Sequence, residues 1–113
     1  MIETIVLNHL TAGGFNAYME MPENYAPPLV IVEKLGSGKE NQIPSATLAV
    51  QSYGASLYAA AALNEQIKAR MEALADRPEI CRVRINSDYN YTDTQTKRYR
   101  YQAVFDITYY EEA

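Results

Sequence analysis

Few side chains in this sequence are of the types from which active sites are built, and their spacing argues against most of the chemistry they could do. There is one histidine, His9, and one cysteine, Cys81. A thiolate–imidazole nucleophile needs the two within hydrogen-bond reach, and nothing in the pattern brings them together. His9 sits among Ile5, Val6 and Leu10, which favours a structural histidine. Cys81 lies in an apolar-leaning stretch, so a buried, inert thiol is expected, and alone it forms no disulfide within the chain. One histidine and one cysteine cannot supply a transition-metal site of ordinary ligand spacing. Asp88 and Asp93 flank a turn and could approach each other as an acid–base pair, but turn carboxylates usually cap local amides or face water. Gly36–Glu40 (GSGKE) has glycines and a lysine, as phosphate-cradling loops do. It lacks their glycine spacing and Lys-Ser/Thr ending, and it lies between two strands rather than before a helix. The residues therefore assign no catalytic, cofactor-binding or metal-binding position, and no enzyme activity or cofactor is expected.

What must position any other kind of site is a single domain over residues 1–113, since a chain of 113 residues suits one core and hardly two. Apolar residues make up 48%, enough to build that core and to argue against wholesale disorder. The net charge of −4 argues against nucleic-acid or anionic-membrane binding, which usually needs a basic face. The charge is uneven, because Arg82, Arg84, Lys97, Arg98 and Arg100 cluster late in the chain. Met1–Leu10 has no basic start and contains Glu3, so it does not read as a signal peptide. No apolar run approaches a membrane span, and synthesis in the cytoplasm is expected.

Ile2, Ile5, Val6, His9 and Leu10 recur at helical spacing before Gly13 and Gly14, predicting a helix over residues 2–11. Phe15–Met19 reads as a short strand, followed by a loop broken by Pro22, Pro27 and Pro28 and containing Tyr25. Leu29–Leu35 and Ser45–Ser52 read as paired strands. Between them, GSGKENQIP is expected to be a long, flexible loop. Ser52, Gly54 and Ser56 are candidate caps for a helix rich in Ala, Leu, Glu, Lys and Arg. Ala60, Leu63, Ile67, Met71 and Leu74 form its apolar stripe, and the alanine run permits close approach to a sheet. Glu79–Tyr91 and Lys97–Tyr110 read as two long strands around a turn near TDTQT. The fold expected is α+β, a mostly antiparallel sheet with two helices packed on it, in the order α-β-β-β-α-β-β with a long C-terminal hairpin.

Ten tyrosines and no tryptophan are unusual, and six of the ten fall in the last hairpin. Strand propensity and cross-strand aromatic pairing account for part of this. If the other strands are shorter, the hairpin overhangs and exposes tyrosine and arginine together, the types enriched where proteins meet. The candidate interface residues are Lys39 and Glu40 on the loop, and Arg98, Tyr99 and Arg100 on the ribbon.

The stretches PPLVIVEKLGSGKENQIPSATLAVQSYGASLYAAAALNEQIKARMEAL and NSDYNYTDTQTKRYRYQAVFDITYY cover most of the chain. As an overall pattern they resemble small minor tail proteins of long-tailed bacteriophages and prophages, of the tail completion, tail terminator or tail-to-head joining group. The resemblance implies a structural, non-enzymatic virion subunit of the tail, made in the bacterial host cytoplasm. It implies a ring of copies, commonly six-fold, at the head-proximal end, with the tail tube protein and the head–tail connector protein as partners. It implies no membrane and no sequence-specific nucleic acid, and a Gly36–Pro44 loop that orders on docking. The alternative is a small-ligand-binding or regulatory module, since such α+β layouts host many functions.

Overall fold

An amphipathic opening run, an alanine-rich run and four β-rich runs give two helices and one sheet in the expected order. The computed structural model describes residues 1–110, Glu40 by its backbone alone; Glu111–Ala113 lie outside the described residues. Helix α1 spans Ile2–Ala12, β1 Ala17–Tyr18, β2 Leu29–Glu40, β3 Ile43–Gly54, α2 Leu57–Glu72, β4 Ile80–Asn90 and β5 Tyr99–Tyr109. A short 3-10 turn, Ala73–Asp76, closes α2. The strands lie in the order β1-β2-β3-β5-β4. Only the two-residue β1 is parallel to its neighbour; every other pairing is antiparallel. The α+β expectation, with its helices, its mostly antiparallel sheet and its closing hairpin, is thus met.

Both helices cover the same face of the sheet. Val6 and Leu10 from α1 meet Ile67 and Met71 from α2 over Val32, Leu48, Val50, Phe105 and Ile107. Alternation along β2 sends Val30 and Val32 into this core and leaves Leu29 and Ile31 on the other side. Of the three candidate caps, Ser56 caps α2: its hydroxyl accepts from the Ala59 amide at 3.1 Å. Gly54 lets α2 start hard against β3, since a Cβ there would lie 2.4 Å from the Ala60 nitrogen. Among the described residues no helix is long and apolar enough to cross a membrane.

Three expectations are corrected. Gly36–Pro44 is not a long loop but the end of a paired ribbon, with Lys39 opposite Pro44 and Glu40 opposite Ile43. A two-residue turn, Asn41–Gln42, closes it, with φ of 51° and 70°. Two left-handed residues give the twist that matches right-twisted strands. The glycines and charges that suggested a loop belong instead to a strand whose outer edge is unpaired past β1, where charge is common. Second, the C-terminal hairpin does not overhang as a whole. Strands β2 and β3 are 12 residues each against 11 for β4 and β5, and Gly54 lies opposite Tyr99, so only the turn at 91–98 extends beyond β3. Third, Cys81 is exposed rather than buried, because a register shift between Ile80 and Arg82 takes it out of the alternation.

Candidate interaction surface

The face of the sheet away from the helices carries the most organised polar structure of the molecule. At the end where β2 begins, Leu29, Ile31 and Tyr53 form a small second cluster, with Met21 and Tyr25 of the connecting loop packed on it. Cross-strand pairing then sets Tyr53 opposite Arg100, Gln51 opposite Gln102, and Gln102 opposite Tyr89. These pairs form a continuous hydrogen-bond chain. Arg100 Nη1 donates to the Tyr53 hydroxyl at 2.9 Å, and that hydroxyl donates to Gln51 Oε1 at 3.3 Å. Gln51 Nε2 donates to Gln102 Oε1 at 2.8 Å, and Gln102 Nε2 donates to the Tyr89 hydroxyl. Both glutamines are buried, so each lost bond would strand a polar group out of water.

Guanidinium–aromatic stacking fixes the same end. The Arg100 guanidinium lies 4.3 Å from the Tyr91 ring centre while Nε donates to the Tyr91 carbonyl at 2.6 Å. Arg98 lies 4.4 Å over Tyr25, which meets Tyr53 edge-on at 5.9 Å. Tyr89 and Tyr91 are also edge-on, at 5.8 Å. Such contacts contribute roughly 0.5–2 kcal/mol each, depending on exposure. Burial pushes the Tyr25 phenol above its ordinary value, with the Arg98 charge acting against it. Tyr89 and Tyr91 remain half exposed, so the ordered stack is also an accessible surface.

The residues singled out from sequence do not form one site. Arg98 and Arg100 share the open face, but Tyr99 pairs with Gly54 and points to the helix side. Lys39 is exposed at the far end of the sheet, opposite Pro44 and nine positions along β3 from Tyr53, about 30 Å away. The Glu40 side chain lies outside the described residues. Asp88 and Asp93 are not brought together. Asp88 accepts from Asn64 at 3.3 Å and pairs with Lys68 at 3.4 Å under α2. Asp93 caps its turn, and the Gln95 amide is the main reason its carboxyl is held below the usual range.

His9 is structural, as expected. It is 4% exposed; its Nε2 donates to the Arg70 carbonyl at 2.7 Å and its Nδ1 accepts from Arg77 Nε at 3.0 Å. Arg70 in turn donates two bonds to the His9 carbonyl, at 3.0 and 2.8 Å. His9 and Cys81 serve separate places: Cys81 lies by Tyr110, whose phenol it raises through a hydrogen bond. Sequence reasoning missed the Gln51–Gln102 link and the buried Asn64. Gln51 was visible as the one amide in an apolar strand, but its partner depends on register. Among the described residues, no group of three or more His, Cys, Asp or Glu side chains is placed to hold a metal ion.

Two depressions flank the edge strand β4. One, about 560 Å³, lies on the open face over Gly36, Gly38, Ser45 and Thr108, with Arg82 and Arg84 along its side. Asp106 borders it, with its two oxygens taken by Thr47 at 2.9 Å and Asn86 at 3.1 Å. The other, about 540 Å³, lies between α2 and β4, floored by Val83, Ile85 and Phe105 and rimmed by Glu65, Lys68, Glu72 and Arg84, which borders both depressions. No protein-family model matches the chain, and a search of curated proteins finds no match.

Proposed function

We propose that this chain is a non-enzymatic structural subunit of a bacteriophage tail, a ring-forming protein at the head-proximal end that terminates the tail tube or joins the tail to the head. The observation that carries the reading is the open sheet face with its locked arginine–tyrosine stack. Tyrosine and arginine are the types that anchor protein contacts. Here they are held in place before any partner arrives, which lowers the ordering cost of association. The chain measures 42 × 24 × 23 Å, with the stack at one end and the Lys39 ribbon tip at the other. A subunit with unlike ends suits head-to-tail contacts, which close into rings when the rotation permits. The sequence pattern over residues 27–74 and 86–110 supplies the tail context, and with it the tube protein and connector as partners and the virion tail as location.

The test is electron microscopy of phage particles made without this chain. The reading expects unjoined tails or tails of irregular length, restored by the wild-type chain and not by Arg98→Glu with Arg100→Glu. Joined tails of normal length without it would refute the reading. Saturable binding of a metabolite to the isolated chain would favour the ligand-module alternative.

A further inference from the structure

Two rows of residues cross the open face at the end away from the arginine–tyrosine stack. Pairing sets Gly36, Thr47, Asp106 and Arg84 side by side on β2, β3, β5 and β4, and Gly38, Ser45, Thr108 and Arg82 in the next row. The depression of about 560 Å³ lies over both rows. The glycines keep its floor low, and the fold itself does not call for them. Neither has a left-handed φ. A Cβ on Gly36 would meet nothing within 4 Å, and one on Gly38 would make only ordinary contact with the Ser45 hydroxyl, at 3.6 Å. Glycine weakens a strand, and where the chain does not need it, it marks close approach by something else. Polar groups over this floor are also left over. Thr108 is only 9% exposed, yet its hydroxyl has no hydrogen bond among the described residues, and neither has that of Ser45 directly opposite. Arg84 stands across from Asp106 without an ion pair among the described residues, while the Asp106 oxygens accept from Thr47 and Asn86. Arg82 is already engaged.

We propose that this hollow binds a tetrahedral oxyanion, the phosphate group of a small ester or free phosphate, with Arg84 as the charged donor and the Thr108 and Ser45 hydroxyls as neutral ones. A guanidinium offers a fork of N–H groups to such an anion. Donors on three adjacent strands outnumber the two oxygens of a carboxylate and suit the three or four of a phosphate. The buried Thr108 hydroxyl gains the partner it lacks, and the glycines let the group settle onto the sheet. Because Asp106 is not paired with Arg84, an incoming anion has no ion pair to displace. The Asp106 charge opposes binding and keeps it weak. The inference goes beyond the tail reading and does not depend on it, since six positions along β5, about 20 Å, separate Asp106 from Arg100 of the stack.

Amide chemical-shift titration of the full chain tests it, with inorganic phosphate, glycerol phosphate and acetate added in turn at a constant ionic strength of about 0.15 M. Phosphate and its ester should move the amides of residues 36–38, 45–47 and 106–108 saturably, with dissociation constants of about 1–10 mM, and acetate should bind at least about 5-fold more weakly. A tighter ester would mean that the hollow also holds the organic part; tighter free phosphate would mean that the anion is taken alone. Arg84→Gln should weaken phosphate about 10-fold and Thr108→Val about 3-fold, while Asp106→Asn should tighten it about 3-fold by removing the opposing charge. Gly36→Val fills the hollow from a position with free space, so it should abolish binding at an unchanged melting temperature. Shifts that do not saturate by about 50 mM, shifts clustered elsewhere, an equal response to acetate, or full binding by Gly36→Val would each overturn the site. Microscopy of particles lacking the chain decides the ring reading separately.

Discussion

Lowering the pH from about 7.5 to 5.5 should weaken the fold through a single group, His9. It is the only histidine in the chain, so no other side chain of ordinary pKa titrates across that window. The geometry fixes its neutral form. Nε2 carries the proton donated to the Arg70 carbonyl, and Nδ1 must stay bare to accept from Arg77. Protonating Nδ1 breaks the Arg77 bond and places a third cation beside Arg70 and Arg77. Burial is the largest reason that the imidazole pKa lies below 6.5; the hydrogen bond to the Arg70 carbonyl opposes it, the Arg70 and Arg77 charges reinforce it, and Asp76 opposes it. Above 6.5 both the folded and unfolded chains hold a neutral imidazole, and stability does not depend on this group. Below 6.5 the unfolded chain takes up a proton that the folded chain refuses, so stability falls as the pH falls toward the folded value. For an imidazole that stays neutral when folded, the loss approaches a ceiling of about 1.4 kcal/mol at pH 5.5. In a domain of this size that is about 5 °C in melting temperature.

The assay is urea unfolding at a series of pH values, for the wild type and for His9→Gln. Glutamine can offer a donor to the Arg70 carbonyl and an acceptor to Arg77 without titrating. Its stability should therefore be flat between pH 7.5 and 5.5 while the wild type slopes downward. Parallel profiles for the two proteins, or a wild type that gains stability on acidification, would refute the assignment of His9 as a buried neutral bridge between α1 and the end of α2.

Three further outcomes follow from local geometry. Gly54→Ala drives a Cβ into backbone atoms of Ala59 and Ala60, which cannot rotate away; overpacking of about 2–3 kcal/mol should lower the melting temperature by roughly 10 °C, while Gly36→Ala, facing open space, should leave it unchanged. Gln42→Gly relieves a left-handed residue at the ribbon turn and should raise the denaturant midpoint by the equivalent of about 1 kcal/mol; destabilisation there would contradict the tight turn. Cys81, exposed on its bulge, should react with one equivalent of a thiol reagent in the folded protein; a thiol that reacts only after unfolding would place it back in the core.

The elements were legible because each is specified locally. Val6 and Leu10 repeat at helical spacing, Ser56 offers a capping hydroxyl, and Leu48 and Val50 alternate with Ala49 and Gln51. What misled was composition read without pairing. Gly36, Gly38 and Lys39 look like loop residues in isolation, yet pairing with Thr47, Ser45 and Pro44 across the ribbon outweighs weak strand propensity. Cys81 and Ile85 follow a period-2 pattern that two register shifts break, and a bulge has no signature in residue types alone. The arginine–tyrosine stack is half legible: Arg98 and Arg100 stand out on one face of the last strand, while alternation sends Tyr99, the third ribbon candidate, to the other face. Gln51, Tyr53 and Tyr25 join the stack only through register and through the fold of the 19–28 loop, both of which are long-range facts.

Pre-organisation separates the two ends of the molecule as binding surfaces. Arg100 places two donors on the Tyr91 carbonyl and the Tyr53 hydroxyl, so its position is set and little rotamer freedom remains for a partner to remove. Lys39 is an exposed lysine on a ribbon tip, and fixing such a side chain costs up to about 2 kcal/mol in lost freedom. A contact built on the stack therefore begins with its ordering already done, while one built on the tip must offset it with new interactions. That difference favours the arginine–tyrosine end as the surface that discriminates among partners, because a fixed array rejects a misfitting neighbour that a flexible lysine would accommodate. It also sets an order of sensitivity: Tyr53→Phe removes the hydroxyl that relays Arg100 to Gln51 without emptying the site, and it should loosen partner selectivity more than Lys39→Ala does, even where both leave overall affinity within about 10-fold. Equal selectivity for the two variants would mean that the stack serves only to hold the Tyr25 loop on the sheet.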